Sequence, residues 1–519
     1  MNGAKSMPTG FPCRRREFVG GLLATAAVAE VNAVEDQSQT PALRVGILSD
    51  IHCHYEAAVK RFEDGLRLLK DENVDAVLIA GDLFTRGTIK ELENVADAWF
   101  RVFPNDRRDD GTKVERLFIT GNHDEVDWPW KNYRDFDDMR AKSFRFNREE
   151  VWKRLWGEEY EKIRIKTVKG YPFVLRHWIC RPTTMFDREV PAEPDPLPEF
   201  MKQHSKTLRR YGKPFFYVQH EPIDRTVNAT WLFSGEEWDN GQTHRGEKTI
   251  FDSLPNCVVL TGHSHDTLTD EMSIWQGRFT AVNCSAGCGY IFSRPGRENG
   301  FHDADFFCKP PREMATFNHW EPRQALVMDV YSNRIVFKRL DIAYRERLGD
   351  DWFFPLFAGG ATVPPSATPK YDFSTRKKAS PPPSFSKDAK VSVAYVREGH
   401  HRTADDRSIL DMSETHPQIR VSFPPVTRAD SPSRAFEFRV TCESLTADIV
   451  NVVKECRVFS PKFCLAESRE TEQCTCDFAV SALPKRCRGK IRFVVTPIDC
   501  WYNEGKAIAS EWIDLDKMV

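Results

Sequence analysis

The sequence predicts an α/β domain followed by a small all-β domain, and two observations carry that expectation. From Leu43 onward, short apolar runs alternate with apolar stripes at helical spacing, the pattern of helices layered on a sheet. Beyond a stretch rich in Pro, Ser and Gly, the remaining apolar runs are short or alternating and are separated by turn residues. A chain of 519 residues has room for two or three folded units.

The first strand is LRVGILS at 43–49, ending in Asp50. Val59, Phe62, Leu66 and Leu69 then share one helix face, AVLIA at 76–80 is the second strand, and Leu92, Val95, Trp99 and Val102 mark a second helix. RLFIT at 116–120 is the third strand. Residues 126–211, rich in Trp and charge, read as an insertion that caps the site or packs on the surface, with a helix expected near 149–163. Two later strands are FFYVQ, before His220, and CVVLT, before Gly262. The first domain is accordingly placed at 42–345, a Pro/Ser/Gly-rich linker at 357–390 and a Cys-rich β-sandwich at 391–519. The sandwich is read from VSVAYV, IRVSF, AFEFRVT and KIRFVVTP.

Residues 1–33 have the pattern of an export signal: a basic cluster at Arg14 to Arg16, an apolar run over 18–29, and Ala27-Val28-Ala29 as a small-residue cleavage site. The run is shorter than the about 20 apolar residues that a membrane span needs, so no transmembrane anchor is expected. Arg15-Arg16-Glu17-Phe18-Val19 resembles the twin-arginine export signal, and the expected location is periplasmic or extracellular. Fourteen cysteines, among them Cys442, Cys456, Cys464, Cys474, Cys476, Cys487 and Cys500, are consistent with disulfide stapling there.

Seventy-four Lys and Arg against 76 Asp and Glu leave a net charge of −2. No field of the whole molecule draws it to nucleic acid or an anionic membrane, and no stable nucleic-acid complex is expected. Function must come from a local site.

That site is visible at the strand ends. They read Asp50-Ile51-His52, Gly81-Asp82, Gly121-Asn122-His123-Asp124, a lone His220, and Gly262-His263-Ser264-His265. Open α/β sheets bind ligands at the carboxyl ends of their strands. Asp, Asn and His supply the oxygen and nitrogen donors that borderline divalent metals accept. A single His at a strand end would be structural, whereas five strand ends all bearing donor types point to a metal centre.

The ordered set resembles the calcineurin-like metallophosphoesterase superfamily over about residues 43–340. The resemblance implies a four-layered αββα sandwich and two divalent or trivalent metal ions of Mn, Fe or Zn type. It implies Asp50, His52, Asp82 and His265 around one ion and Asp82, Asn122, His220 and His263 around the other, with Asp82 bridging. Two cations about 3.5–4 Å apart neutralise a phosphoester's charge and lower the pKa of a bridging water, so that hydroxide attacks without a strong base. The implied activity is that of a phosphomonoesterase or phosphodiesterase, with a phosphoester as substrate and His123 as general acid. Asp124 would act beside His123, chiefly by bracing its loop. Residues 81–87 resemble the protein Ser/Thr phosphatase branch, which has an Asp where Thr85 stands; its loss removes an expected partner of His123. Arg86 matches that branch's Arg and is the candidate for holding a phosphate oxygen.

Cys53 and His54 read as bystanders, and His177, His204, His244, His302 and His319 as structural. The Gly-rich segment 283–290 lacks the Gly spacing and Lys of a nucleotide-cradling loop. The rival reading is an extracytoplasmic binding protein on an inactive phosphoesterase scaffold. Such scaffolds lose ligands, and here all eight strand-end positions are kept.

Overall fold

Leu43–Leu48 (β1) is apolar at every position but Arg44, which pairs with Asp329, because strands pair with it on both sides and both its faces are covered, the signature of a strand inside an α/β sheet. The structure, a computed structural model, describes residues 40–85, 88–125, 144–179, 194–228, 230, 247–285, 287, 322–399, 416–428, 431–460, 462–469, 473–483 and 490–518. After β1 come α1 (Glu56–Asp71), β2 (Ala76–Ala80), α2 (Ile89–Val102), β3 (Glu115–Ile119) and the single turn α3 (Asn122–Glu125). Next are α4 (Phe144–Trp156), β4 (Ile163–Val168), β5 (Tyr171–Arg176), α5 (Leu197–Arg209), β6 (Phe215–Val218), α6 (Glu247–Phe251), β7 (Cys257–Thr261), β8 (Ile274–Gln276) and β9 (Thr280–Asn283). The first domain closes with β10 (Gln324–Val330), β11 (Arg334–Asp341), β12 (Glu346–Arg347) and β13 (Trp352–Pro355).

These strands form two mixed sheets. One has the order β12-β11-β10-β1-β2-β3, with β13 on β11, and the other β4-β5-β6-β7-β9-β8. β1, β2 and β3 run parallel, as do β5, β6, β7 and β9, so their carboxyl ends gather on one side of each sheet. Val45, Ile47, Leu78, Ile119, Phe216, Val218, Val258 and Leu260 interlock between the sheets. Leu66, Leu69, Val95 and Trp99 of α1 and α2 cover one outer face, and Leu197, Met201 and Leu208 of α5 cover the other. The four-layered αββα order is thereby present. Each buried aliphatic side chain contributes about 1.5–3 kcal/mol. Helix α2 starts at a capping box, Thr88 accepting from the Glu91 amide and Glu91 reaching back to Thr88, worth about 1 kcal/mol.

The segment 126–211 departs from the reading as an insertion. Its β4, β5 and α5 are integral to the second sheet and its cover. The expected helix at 149–163 is shifted to Phe144–Trp156, because Gly157 takes a left-handed φ of 66° and stops it. Arg86 lies outside the described residues.

The C-terminal part is a two-sheet sandwich preceded by α7 (Phe373–Ala379). Its strands are β14 (Ser392–Gly399), β15 (His416–Phe423), β16 (Glu437–Thr446), β17 (Ile449–Phe459), β18 (Cys474–Ala479), β19 (Lys490–Ile498), β20 (Ile508–Ala509) and β21 (Ile513–Asp514), and the helical turn α8 (Leu515–Met518) follows. The sheets are β14-β15-β18 and β17-β16-β19-β20 with β21 on β19. Among the described residues no two cysteines are joined. Cys442, Cys474 and Cys476 instead pack as small apolar side chains among Phe423, Val440, Phe478 and Phe493.

The composition of 357–390 led us to expect a linker, yet specific bonds fix it. Thr362 donates its amide to Pro255 O at 2.8 Å, and Tyr371, buried against the inter-sheet core, accepts the Phe353 amide at 2.8 Å. Between the domains, Phe436, Phe459, Phe463, Cys464 and Trp501 pack with Met272 and Phe373. Glu271 accepts from Arg339 Nη1 at 2.8 Å and from Arg376, tying α7 to the first domain. No helix among the described residues is long and apolar enough to cross a membrane. The region assigned to the export signal lies outside the described residues.

Burial alone would raise Glu271, but Arg339 and Arg376 overcome it and hold its carboxyl down to about 2. A folded value below the unfolded 4.5 means that its contribution is present above that value and is lost as pH falls toward about 2. Glu271→Gln is expected to lower unfolding free energy by about 2 kcal/mol at pH 7. In denaturant titrations the gap to wild type should close as pH drops from about 4.5; a gap that persists at low pH refutes the account.

Candidate metal centre

Five strand-end residues hold a backbone conformation that side chains usually avoid. Asp50, His52, Asp82, His263 and His265 have φ of 49°, 45°, 50°, 67° and 51°. Such strain costs on the order of 1–3 kcal/mol per residue and persists only where the surroundings enforce it, although Asp and His tolerate it better than most. Here the loops after β1 and β2 are zipped together by Asp50 N to Gly81 O at 3.0 Å and His52 N to Asp82 O at 3.1 Å. The sharp turns aim all five side chains at one volume. Two glycines make room for it. A Cβ on Gly121 would lie 2.2 Å from Asp82 Oδ1, and one on Gly262 would lie 1.9 Å from Ser49 Oγ and 2.6 Å from Asp50 Oδ2.

Two donor clusters result. Asp50, His52, Asp82 and His265 form one and Asp82, His220 and His263 the other, each with its donor atoms within 4.8 Å of one another. Asp82 belongs to both. In the first, His265 Nε2 is 3.2 Å from Asp50 Oδ1 and 3.3 Å from His52 Nε2. In the second, His220 Nε2 lies 3.3 Å from Asp82 Oδ1, 3.0 Å from Asn122 Oδ1 and 3.1 Å from His263 Nδ1. His220 Nδ1 donates to Ala80 O at 2.8 Å, which turns Nε2 inward. The structure thus brings Asp50, His52, Asp82 and His265 together in one cluster and Asp82, His220 and His263 in another, with Asn122 against His220.

The charges suit a cation. Burial would raise Asp50 and Asp82, but His265 on the one and His220, His123 and His52 on the other hold both carboxyls below the usual range. Burial pushes His52 down to about 3 and His263 to about 4, which leaves them neutral with lone pairs to give. His220 is also buried, yet Asp82 and Asp50 hold it up to about 10. Asp82 Oδ2 is fully buried with no hydrogen-bond partner among the described residues. A buried acceptor left so costs about 1–3 kcal/mol, more when ionised, and a metal ion would relieve it. The donor set, nitrogen and oxygen without thiolate, fits Zn, Fe or Mn.

His123 sits beside this centre. Its ring meets His52 edge-on at 4.9 Å, its amide donates to Asp82 Oδ1 at 3.0 Å, and its Nδ1 donates to Thr85 O at 3.0 Å. A main-chain carbonyl, that of Thr85, therefore holds the ring of His123. The Thr85 hydroxyl lies 3.2 Å from His52 Nδ1 and 2.9 Å from His54 Nδ1, so His54 is more than a bystander. Asp124 does not face the donor atoms. It accepts the amides of Gly121, Leu83 and Phe84 at 2.7, 3.1 and 3.0 Å, so its role is to brace loops. Cys53 is core, and His177 stacks on Tyr160 and accepts the Thr120 amide at 3.0 Å. Thr85 and Ser49 are the residues that sequence reading passed over; only their place beside the motifs hinted at them.

An αββα sandwich that gathers His and Asp clusters around one shared carboxylate has the architecture of a metallophosphoesterase. Residues 43–267 match the family described as calcineurin-like phosphoesterase, and the chain carries a domain of that family. Among solved structures it is similar to a dimetal phosphatase from Danio rerio, at 11% identity over 60% of this chain and 99% of that one, with a TM-score of 0.35. It is similar to GAP50, the anchor in the inner membrane complex of Plasmodium, at 12% identity over 61% and 89% with a TM-score of 0.34. It is also similar to purple acid phosphatase PPD1 from yellow lupin seeds, at 12% over 63% and 58% with a TM-score of 0.38. No curated protein matches the chain in sequence.

Thr85→Val keeps the carbonyl that holds His123 and deletes the hydroxyl beside His52. It is expected to weaken metal binding about 10- to 100-fold in calorimetry, with Thr85→Ser restoring it. Equal affinity in the Val variant would show that the hydroxyl orients nothing.

Proposed function

We propose that the domain is a metal-dependent hydrolase of phosphoester bonds in which His123 is the general acid. The observation that carries this is Asp82: one buried carboxylate shared by two donor clusters, with one oxygen lacking a hydrogen-bond partner among the described residues. Asp50, His52, Asp82 and His265 would hold one ion, and Asp82, Asn122, His220 and His263 the other. Bound there, two ions supply charge neutralisation for the phosphoryl group and hydroxide at neutral pH.

The chain's own residues do the rest. His220, locked by Ala80 O, keeps Nε2 directed at the centre. His123, with Nδ1–H fixed on Thr85 O, delivers its Nε2 proton to the leaving oxygen as the P–O bond to that oxygen breaks and the oxygen of water becomes bonded to phosphorus. The ring is then neutral and regains a proton from solvent. Arg86, adjoining Thr85, is kept as the candidate contact to a phosphate oxygen.

Purified protein supplied with Mn²⁺ is expected to release p-nitrophenol from its phosphate monoester or diester and to stop on chelation. Asp82→Asn and His220→Ala should abolish most turnover, and His123→Gln should lower kcat about 10²- to 10⁴-fold while leaving metal content unchanged. Two bound ions without turnover on a broad phosphoester panel would sink the proposal. For location, we propose export by the twin-arginine route. A chain carrying both Arg15→Lys and Arg16→Lys should stay in the cytoplasm, and undiminished export would refute that route.

A further inference from the structure

The loop that carries His263 and His265 is clamped from below. Asn283 Nδ2 donates to Ser264 Oγ at 2.6 Å. Gln324, fully buried at the start of β10, accepts the Leu268 amide at 2.6 Å and the Ser285 hydroxyl at 3.2 Å, and donates to Thr267 Oγ1 at 2.9 Å. Its amide nitrogen also donates to Cys464 O at 2.9 Å. Cys464 belongs to the C-terminal sandwich.

The turn around it is itself tied down. Arg434 Nη1 donates to Phe463 O at 3.2 Å and to Leu465 O at 2.9 Å, while Nη2 donates to Leu348 O, next to β12 of the first domain, at 2.6 Å. Lys462 Nζ closes the turn on Ala466 O at 3.1 Å and Glu467 O at 2.7 Å. Ala466 is buried in the core cluster that fills the space between the first domain's two sheets. This contact is therefore part of the first domain's interior, reached by a segment from the second.

We infer that the sandwich is a working part of the metal centre: its turn 462–466, through Gln324, holds the loop 262–268 in the strained conformation that aims His263 and His265. Gln324 is a positioning residue, since its side chain touches Thr267 and Leu268 and no donor atom of the clusters. Its amide group is satisfied only when the turn is in place. Withdraw the turn and a buried N–H loses its acceptor, which releases the loop from one side. This rests on the metal-centre reading above for its consequence, and on the hydrogen bonds alone for the brace.

The test uses the full chain. Gln324→Leu deletes the bridge, and Arg434→Met loosens the turn from the sandwich side in case the first variant does not fold. Val440→Ala, in the sandwich core away from the turn, is the control. Arg434→Met is expected to weaken Mn²⁺ binding about 10-fold by calorimetry and to speed amide exchange about 10-fold over residues 257–270, with both unchanged in Val440→Ala. Wild-type affinity and exchange in Arg434→Met overturn the inference, as does an equal effect in Val440→Ala. A wild-type chain that binds no Mn²⁺ would overturn the metal-centre reading instead. Exchange over 257–270 then decides the brace, faster in Arg434→Met supporting it and unchanged overturning it.

Discussion

Everything around the strand ends follows from keeping two carboxylates ionised where water does not reach. Asp50 and Asp82 are buried, and the histidines packed on them are what hold them charged. Interior charge without a partner is expensive, so the protein spends conformational strain to surround each carboxylate with donors. Left-handed turns at five donor residues, glycines where any side chain would collide with a carboxylate, and main-chain bonds between neighbouring loops all serve this one requirement. Asp124 belongs to the same design from the opposite direction. Burial and the neighbouring Asp82 push its carboxyl well above the usual range, and its oxygens accept three backbone amides, which fixes the loops on which Asp82 and His123 stand.

The sheets convert this local chemistry into a site. Parallel strands put β1, β2 and β3 on one side of the inter-sheet core and β6 and β7 on the other, all ending at the same edge. Donors more than 200 positions apart in the chain, such as Asp50 and His265, meet because both sheets end there. The C-terminal sandwich contributes in a different manner. Among the described residues it supplies no donor, and its turn fills a place in the first domain's own interior.

The sequence revealed what is local and repeated. Strand ends that each finish in Asp, Asn or His after an apolar run were legible because residue type and position agree, and the helical stripes of α1 and α2 were legible from their spacing. The strands β4 and β5 were not. β4 is an edge strand mixing charged and apolar residues, and Pro172 near the start of β5 argued against a central strand, though β6 pairs with β5 only from Phe173 onward. Gly157, whose left-handed φ stops α4, lies inside the stretch 149–163 that was expected to be helical. The bond from His123 to the carbonyl of Thr85 was invisible, because a main-chain atom carries no residue identity. Gln324 bridging to Cys464 joins residues 140 positions apart, and no spacing rule anticipates it.

Ala466 sits in the core between the two sheets, while the strands that line that core are finished by Phe354. During synthesis, then, the first domain's strands are all made long before the residue that completes their packing. Domains that fold independently do so in order of emergence, and contacts of high sequence separation slow the step that needs them. By the brace inferred above, the loop 262–268 would reach its final form only once residue 466 has been made, close to the end of the chain.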